Sequence, residues 1–384
     1  MVMDARINHV PQLDGVPLVP PADDTFMDPR GYTSPAFFEL EMSRILPRCW
    51  IFVGDANDIT QPGDYLTEVI GREPVVVVRS DDGQVQAFSN VCPHRAAVIA
   101  DGSGNCGRFL ECPYHGWKFA TDGRLIAVPY KSSFVDPIDI ETLGLTPIRI
   151  EMWERWMFVN VSGDAPPLLD WLEDMPATLA NHDLGATTRV HQLDDHVQAN
   201  WKILMDNAFC DYHLPVVHEN SLGQFIDPRS LRESVQRYTG TLHAPSAPPE
   251  EGGYERRPGI HGQASEGSFG FGVFPNFFVS AYPNGGCTVM WWTPLTINTS
   301  RARVMGYSHD PETDPRAGLD LLKAVQTEDY AICENVQQGV GSTLYRPGPQ
   351  HGLELRVRGY QQLLITMLAE EAAAPRQEVA TAGH

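Results

Sequence analysis

Long hydrophobic runs are missing from this sequence of 384 residues, and so is a balance of charge. No stretch approaches the roughly 18 consecutive apolar residues that a membrane-spanning helix needs. The segment Met1–Pro20 also lacks the basic and then apolar order of a secretory signal. Lys and Arg number 28 against 49 Asp and Glu, which gives a formal net charge of −21. Because such a surface repels nucleic acid and anionic membranes, we expect a cytoplasmic protein that binds neither.

Cysteine spacings typical of disulfide pairs are missing as well. Of the seven Cys residues, most are scattered along the chain: Cys49, Cys106, Cys210, Cys287 and Cys333. This distribution indicates a protein whose thiols stay reduced. The hydrophobic fraction of 42% is typical of a globular protein. The length allows two domains with at least one large core.

The remaining cysteines belong to two short segments that also contain His. The segments Cys92–His94 and Cys112–His115 each offer one thiolate and one imidazole. Four such ligands could close a tetrahedral zinc site, or they could hold a [2Fe–2S] cluster with two Cys on one iron and two His on the other. Zinc sites usually place Cys near Cys and His near His, whereas each near pair here is mixed. The spacing therefore favours two similar loops around a dinuclear cluster, and zinc is the alternative.

A second group of ligand types lies around Pro215. His213 and His218 are five residues apart, so on one continuous helix they would diverge by about 140°. Pro215 disfavours helix in the residue before it. We therefore expect a helix from Asn200 that ends near His213, and a turn that brings His218 back beside it. Two imidazoles and a carboxylate form the facial triad of non-haem Fe(II) oxygenases; without the carboxylate these would be ordinary histidines near a helix end.

Taken together, these segments resemble the Rieske ring-hydroxylating oxygenases, and in particular their terminal oxygenase alpha subunit. The similarity rests on Cys-x-His and Cys-x-x-His with seventeen residues between them, on Gly116–Trp117 after them, and on the later segment Glu328–Glu334, which reads Glu-Asp-x-x-x-Cys-Glu. It extends over about residues 50–339. The resemblance implies that Asp329 is the third iron ligand. The adjacent Glu328, which would point about 100° away on a helix, is the alternative.

The resemblance also implies an α+β fold. An all-β Rieske [2Fe–2S] domain would be inserted before a catalytic domain of antiparallel sheet flanked by helices, of the helix-grip or START-like type. We expect an N-terminal arm and helix over residues 1–44 that packs on the catalytic domain, the Rieske domain over residues 45–165, and the mononuclear-iron domain over residues 166–384. Turn signals between short β-rich runs, such as Asp82-Gly83, favour the all-β part.

Two iron sites per subunit follow from the resemblance. The expected ligands of the [2Fe–2S] cluster are Cys92, His94, Cys112 and His115. The expected ligands of the mononuclear Fe(II) are His213, His218 and Asp329.

A further carboxylate in this family links the mononuclear iron's His to a cluster His of the neighbouring subunit. Relatives carry this acid three residues before the first His ligand, where the present chain has Cys210. The resemblance therefore implies Asp211 for this role, two residues before His213, and Asp206 is the alternative. A second departure from the family pattern is Ala96, where many relatives have Gly.

The implied function is that of the terminal oxygenase in a multicomponent system. A reductase or ferredoxin driven by NAD(P)H would reduce the cluster, and the mononuclear iron would activate O₂ to hydroxylate an aromatic or other small organic substrate. Dioxygenation, mono-oxygenation and oxidative demethylation all stay open, and a homotrimer is expected, with or without a small beta subunit. The alternative from another class is a Rieske electron-transfer protein fused to a ligand-binding module, which would not need the His-His-Asp set.

Aromatic side chains in the second half of the chain are candidates for the substrate pocket. They are Phe209, Phe271, Phe274, Phe277, Phe278, Tyr282, Trp291 and Trp292. An aromatic wall suits a planar apolar substrate and equally a quaternary ammonium group. The alternative is that most of them belong to the core of a sheet.

Overall fold

The structure is a computed structural model and describes residues 12–13, 16–17, 25–224, 226–248, 250, 255–310 and 315–373. The strands are β1 (Gln12–Leu13), β2 (Val16–Pro17), β3 (Ile51–Asp55), β4 (Asp64–Ile70), β5 (Glu73–Arg79), β6 (Val85–Ser89), β7 (Ser103–Asn105), β8 (Phe109–Glu111), β9 (Lys118–Ala120), β10 (Leu125–Ala127), β11 (Pro147–Trp153), β12 (Trp156–Asn160), β13 (Thr188–Val197), β14 (Arg232–Val235), β15 (Thr239–Pro245), β16 (Gly267–Val273), β17 (Phe277–Ala281), β18 (Cys287–Thr296) and β19 (Thr299–Ser308). The α-helices are α1 (Arg30–Thr33), α2 (Pro35–Leu40), α3 (Leu168–Leu172), α4 (Met175–Leu179), α5 (Trp201–Phe209), α6 (Leu214–Val217), α7 (Gln263–Glu266), α8 (Pro315–Val340) and α9 (Leu355–Ala373). Residues 1–11, 14–15 and 18–24 of the predicted N-terminal segment lie outside the described residues.

Residues 51–160 form an all-β unit. Its larger sheet, here called the first sheet, has the strand order β3-β12-β11-β6-β5-β4-β7, and a small sheet of order β10-β9-β8 stands beside it. Every pairing in the first sheet is antiparallel. The run of valines in β5, residues 75–78, is fully buried, because core residues cover both faces of this central strand. These strands span residues 51–160; the predicted domain boundaries after residues 44 and 165 stay predictions.

The second half carries a seven-stranded antiparallel sheet, here called the second sheet, of order β13-β19-β18-β17-β16-β15-β14. One face packs against the first sheet, as the Phe277 ring shows by its centroid distances of 5.0 Å to Phe52 and 5.3 Å to Phe158. The other face is covered by α5, α8 and α9. The α+β fold of an all-β domain followed by an antiparallel sheet flanked by helices is therefore confirmed.

Several elements differ from what the sequence pattern predicts. The helix predicted within residues 1–44 begins with Ser34 as its cap, whose Oγ accepts from Phe37 N at 3.3 Å. It changes from α2 to a π-helical turn over Glu41–Ile45. Three strands of the second sheet, β13, β14 and β15, have no clear alternation of apolar and polar residues, so the sequence pattern does not predict them.

Among the described residues, no helix combines the length and apolar character needed to cross a membrane.

Candidate metal centres

The two Cys-His loops share one backbone conformation at the tip of the all-β unit. In each loop the Cys amide donates to the carbonyl five residues later, and the residue four after the Cys donates back to the Cys carbonyl. The pairs are Cys92 N to Ala97 O (2.9 Å), Ala96 N to Cys92 O (2.9 Å), Cys112 N to Trp117 O (2.8 Å) and Gly116 N to Cys112 O (3.0 Å). The two loops therefore face each other as similar halves of one site.

The two histidines of these loops lie together, and both cysteines are buried. His94 Nδ1 lies 3.1 Å from His115 Nδ1, and the thiols of Cys92 and Cys112 are both buried and free. The His94 ring stacks on Trp117 at a centroid distance of 4.9 Å with an interplanar angle of 6°. Two sulfur and two nitrogen donors on paired loops fit a [2Fe–2S] cluster with one iron on each pair.

The departure at Ala96 has a conformational consequence. Ala96 has φ 56° and Gly116, at the same position of the other loop, has φ 70°. A residue with a Cβ is disfavoured in this left-handed region by about 1 kcal/mol. The cluster loop of this chain therefore carries backbone strain where the second loop has glycine.

We expect Ala96→Gly to raise the midpoint of thermal loss of the visible cluster absorption, because it relieves about 1 kcal/mol of strain. Gly116→Ala is the mirror experiment and should lower that midpoint. Space is available at Gly116, where the nearest atoms to an added Cβ are 3.5 Å away, so the effect would report φ alone. A lower midpoint for Ala96→Gly would contradict this assignment of strain.

The second candidate site lies where α5 gives way to α6. Asn200 caps α5 by accepting from Lys202 N at 3.0 Å, and the helix ends at Phe209, so that Cys210 is extended with φ −94° and ψ 128°. The prediction that this helix continues to near His213 is thus corrected. Pro215 lies in the first turn of α6, where a missing amide is tolerated, so proline begins a new helix there and does not end α5.

This break brings the three predicted ligands together. His213 Nε2 lies 3.2 Å from His218 Nε2 and 3.5 Å from Asp329 Oδ1 on α8, and His218 Nε2 lies 3.1 Å from the same oxygen. The three ligand atoms all lie within 4.8 Å of one another, close enough to hold a single metal ion. Three donors that converge on one point fit a facial 2-His-1-carboxylate site.

The charges in this site favour metal binding. Burial opposes ionisation of Asp329, but hydrogen bonds from His213 and His218 outweigh it and lower the pKa of the carboxyl to about 2. Asn207 on α5 also donates from Nδ2 to Asp329 Oδ1 at 2.8 Å. Asp329 is therefore an oriented anion at neutral pH. Glu328, the alternative ligand, lies on the other side of His218, with its Oε2 2.7 Å from His218 Nδ1.

The two acids considered for the link between centres have other partners. Asp211 is buried and accepts from Arg356 Nη2 at 2.8 Å. Asp206 is half-buried between Tyr32 and Gln361, whose Nε2 donates to it at 3.0 Å, and desolvation of its carboxyl raises the pKa to about 7. A link between two subunits is not a property of one chain, so the assignment of Asp211 stays a prediction. No local pattern points to Arg356, since only folding brings α9 to Asp211.

The predicted pocket aromatics divide between the two faces of the second sheet. Phe277 and Trp291 face the first sheet, and Trp291 lies 4.8 Å from Phe52 between ring centroids. Phe271 points to the same side, because it pairs with Val279, two residues along β17 from Phe277. For these three residues the structure favours the alternative of sheet core.

The remaining aromatic candidates lie differently. Phe209 and Phe278 lie on the helix-covered side, with ring centroids 6.3 Å apart. Tyr282 follows β17, and its hydroxyl lies 3.1 Å from Thr288 Oγ1. Phe209 and Phe278 therefore belong to the layer between the second sheet and α5, the helix that leads to the three converging donors.

Comparison with known proteins identifies the family. The family model described as "Ring hydroxylating alpha subunit (catalytic domain)" matches residues 184–370, and the "Rieske [2Fe-2S] domain" model matches residues 49–144. The chloroplastic choline monooxygenase of Spinacia oleracea is 30% identical over 349 residues, which are 86% of this chain and 75% of that protein. The chain belongs to the Rieske oxygenase family. The carnitine monooxygenase oxygenase subunit of Escherichia coli K12 is 30% identical over 335 residues, with 83% of this chain and 84% of that protein covered.

Solved structures agree with this assignment. The quaternary ammonium Rieske monooxygenase CntA, in complex with its substrate gamma-butyrobetaine, superposes with a TM-score of 0.76 at 25% identity, over 90% of this chain and 95% of that one. This Rieske oxygenase therefore has a [2Fe–2S] cluster and a mononuclear iron as its cofactors. The family replaces both alternatives, a zinc site at the Cys-His loops and a protein that only transfers electrons. It is an oxygen-incorporating oxidoreductase, the terminal component that depends on a reductase partner.

Proposed function

We propose that this Rieske oxygenase mono-oxygenates a small quaternary ammonium compound. The observation that carries the oxygenase reaction is the convergence of His213 Nε2, His218 Nε2 and Asp329 Oδ1 within 4.8 Å of one another. The substrate class is supported by the relatives, which are named as monooxygenases of choline and carnitine. The excess of acidic side chains, with a net charge of −21, also favours the approach of a cationic substrate.

In this proposal each predicted ligand has a defined place. Cys92 and Cys112 hold one cluster iron and His94 and His115 the other, while His213, His218 and Asp329 hold the mononuclear iron. Iron in that site supplies the activation of O₂. The overall reaction converts a substrate C–H bond, O₂, two electrons and two protons to C–OH and water. The two electrons come from NAD(P)H, which the reductase oxidises to NAD(P)⁺.

The chain's own residues prepare the site for this reaction. Asn207 orients the Asp329 carboxylate by donating to Oδ1 at 2.8 Å, and the same oxygen lies beside the two imidazoles. The rings of Phe209 and Phe278 form a buried aromatic wall on the same side of the second sheet, and the Arg356 guanidinium lies over both rings. Close packing of the Phe209 ring over Gly272, where any Cβ would collide with it, fixes the position of this wall.

Assembly and location complete the proposal. We infer a cytoplasmic homotrimer in which the cluster of one subunit serves the iron of the next, with Asp211 at that junction. In favour of this inference, a structural relative that is a quaternary ammonium Rieske monooxygenase is described as transferring electrons between subunits.

The test is a substrate screen with the purified protein, a flavin reductase and NADH. Choline, carnitine and gamma-butyrobetaine are compared with an aromatic hydrocarbon, and the consumption of NADH and O₂ is measured together with product mass under ¹⁸O₂. With a quaternary ammonium substrate, we expect one ¹⁸O atom to be added to each substrate molecule. Without substrate, we expect the consumption of NADH and O₂ to stay at background. Coupled turnover of the aromatic compound alone, with two ¹⁸O atoms in the product, would refute the proposal.

A further inference from the structure

The imidazole of His218 is held at both of its ring nitrogens by neighbouring residues of one helix. Its Nε2 lies 3.1 Å from Asp329 Oδ1, and its Nδ1 lies 2.7 Å from Glu328 Oε2. Consecutive side chains on a helix point about 100° apart. A ring that lies between two such side chains can therefore contact one carboxylate on each side. The His218 ring lies between Glu328 and Asp329 of α8 in this way.

Glu328 is itself fixed by a second donor. Ser221 Oγ donates to the same carboxylate oxygen at 2.6 Å. Ser221 is buried, and its amide donates to the His218 carbonyl at 3.0 Å. The Glu328 carboxylate thus connects α8 to the turn that follows α6, and it reaches that turn through both His218 and Ser221.

We propose that Glu328 is a positioning residue, which sets the tautomer and orientation in which His218 binds iron through Nε2. This inference rests on the ligand assignment of the proposed function. When Asp329 binds the metal, the Glu328 carboxylate at Nδ1 keeps the proton on that nitrogen and leaves the Nε2 lone pair free for the same metal. It also raises the donor strength of the ring.

The two His ligands are held unequally. His218 is 1% exposed and has the Glu328 partner, whereas His213 is 15% exposed and its Nδ1 has no hydrogen-bond partner among the residues that the structure describes. The orientation of His218 is therefore determined within the subunit. Loss of Glu328 should weaken the site at His218 and leave His213 in place.

The experiment measures metal binding and needs no substrate. The mononuclear site is emptied by mild chelation with the cluster retained, and Co(II) is titrated while its visible absorption is recorded. We expect Glu328→Ala to weaken Co(II) binding about 10–100-fold and to change the shape of the Co(II) spectrum. Glu328→Gln keeps a carbonyl oxygen that can accept from both His218 and Ser221, so it should recover a large part of the affinity.

Matched variants separate the possible outcomes. Asp320→Asn removes a negative charge from an exposed position of the same helix and should bind Co(II) like the wild type, as a control for net charge. Ser221→Ala should weaken binding by less than Glu328→Ala, because the contact at Nδ1 stays. Retained cluster absorption together with an unchanged circular dichroism spectrum shows that each variant is folded.

Two results would overturn different statements. Binding by Glu328→Ala within twofold of the wild type, with an unchanged Co(II) spectrum, would overturn the role of Glu328. Wild-type Co(II) binding by Asp329→Ala would instead overturn the ligand assignment on which that role rests.

Discussion

Replacing Asp329 with alanine is expected to abolish turnover completely while the visible absorption of the Rieske cluster is retained. The carboxylate lies 3.5 Å from His213 Nε2 and 3.1 Å from His218 Nε2, so its removal leaves two neutral donors for the mononuclear iron. The cluster residues lie in the all-β unit, on other strands and loops. Iron analysis after desalting should show cluster iron only, and substrate-dependent O₂ consumption should fall to background.

The control for this variant is Asp320→Asn, which changes an exposed acid on α8 and should keep both iron and activity. Normal mononuclear iron and normal turnover in Asp329→Ala would mean that the third ligand lies elsewhere. Loss of the cluster as well as the mononuclear iron would mean that the change disrupts folding. Circular dichroism of the variant distinguishes this last case.

Mixing two inactive variants is expected to restore activity to about a quarter of wild type, provided that electrons cross between subunits. Cys112→Ser removes a cluster ligand, and Asp329→Ala removes an iron ligand. In a ring assembled at random from equal amounts of both, an intact cluster stands next to an intact mononuclear iron at about a quarter of the interfaces. Co-expression from one vector, followed by NADH-coupled O₂ consumption, measures this recovery.

An electron path within one subunit predicts a different result for the same mixture. Every subunit then lacks one centre, so no combination can turn over. A folded mixed oligomer with both metals present at about half occupancy, but without activity, would exclude the inter-subunit path. Each variant prepared alone is the control, and each should be inactive.

Local patterns point to the two Cys-His loops because the geometry of these loops is local. Both Cys-His segments lie in short turns whose hydrogen bonds run between residues four and five apart. The break between α5 and α6 was predicted a few residues too late. The sequence shows Pro215 but not that Cys210 is already extended. The extended Cys210 leads directly into Asp211, whose buried carboxylate contacts Arg356 on α9. Arg356 is far away from Asp211 along the chain.

The candidate pocket shows the limit of pattern reasoning more clearly. Phe277 and Phe278 are neighbours in β17 and are equally hydrophobic, yet they face opposite sides of the second sheet, because side chains alternate along a strand. Which side is the interface between sheets, and which side faces the helices, depends on how the first sheet packs. No property of either residue reveals this.

The sequence by itself determined the types and spacing of the ligands, and through them the family and the two kinds of iron centre. It could do so because a cluster and a facial triad each require particular side chains, whatever the surroundings. Only the tertiary structure decided what Glu328, Asp211 and the aromatic residues contact. These contacts join residues far apart in the chain, and they exist because α8 and α9 pack on the same face of the second sheet as α5.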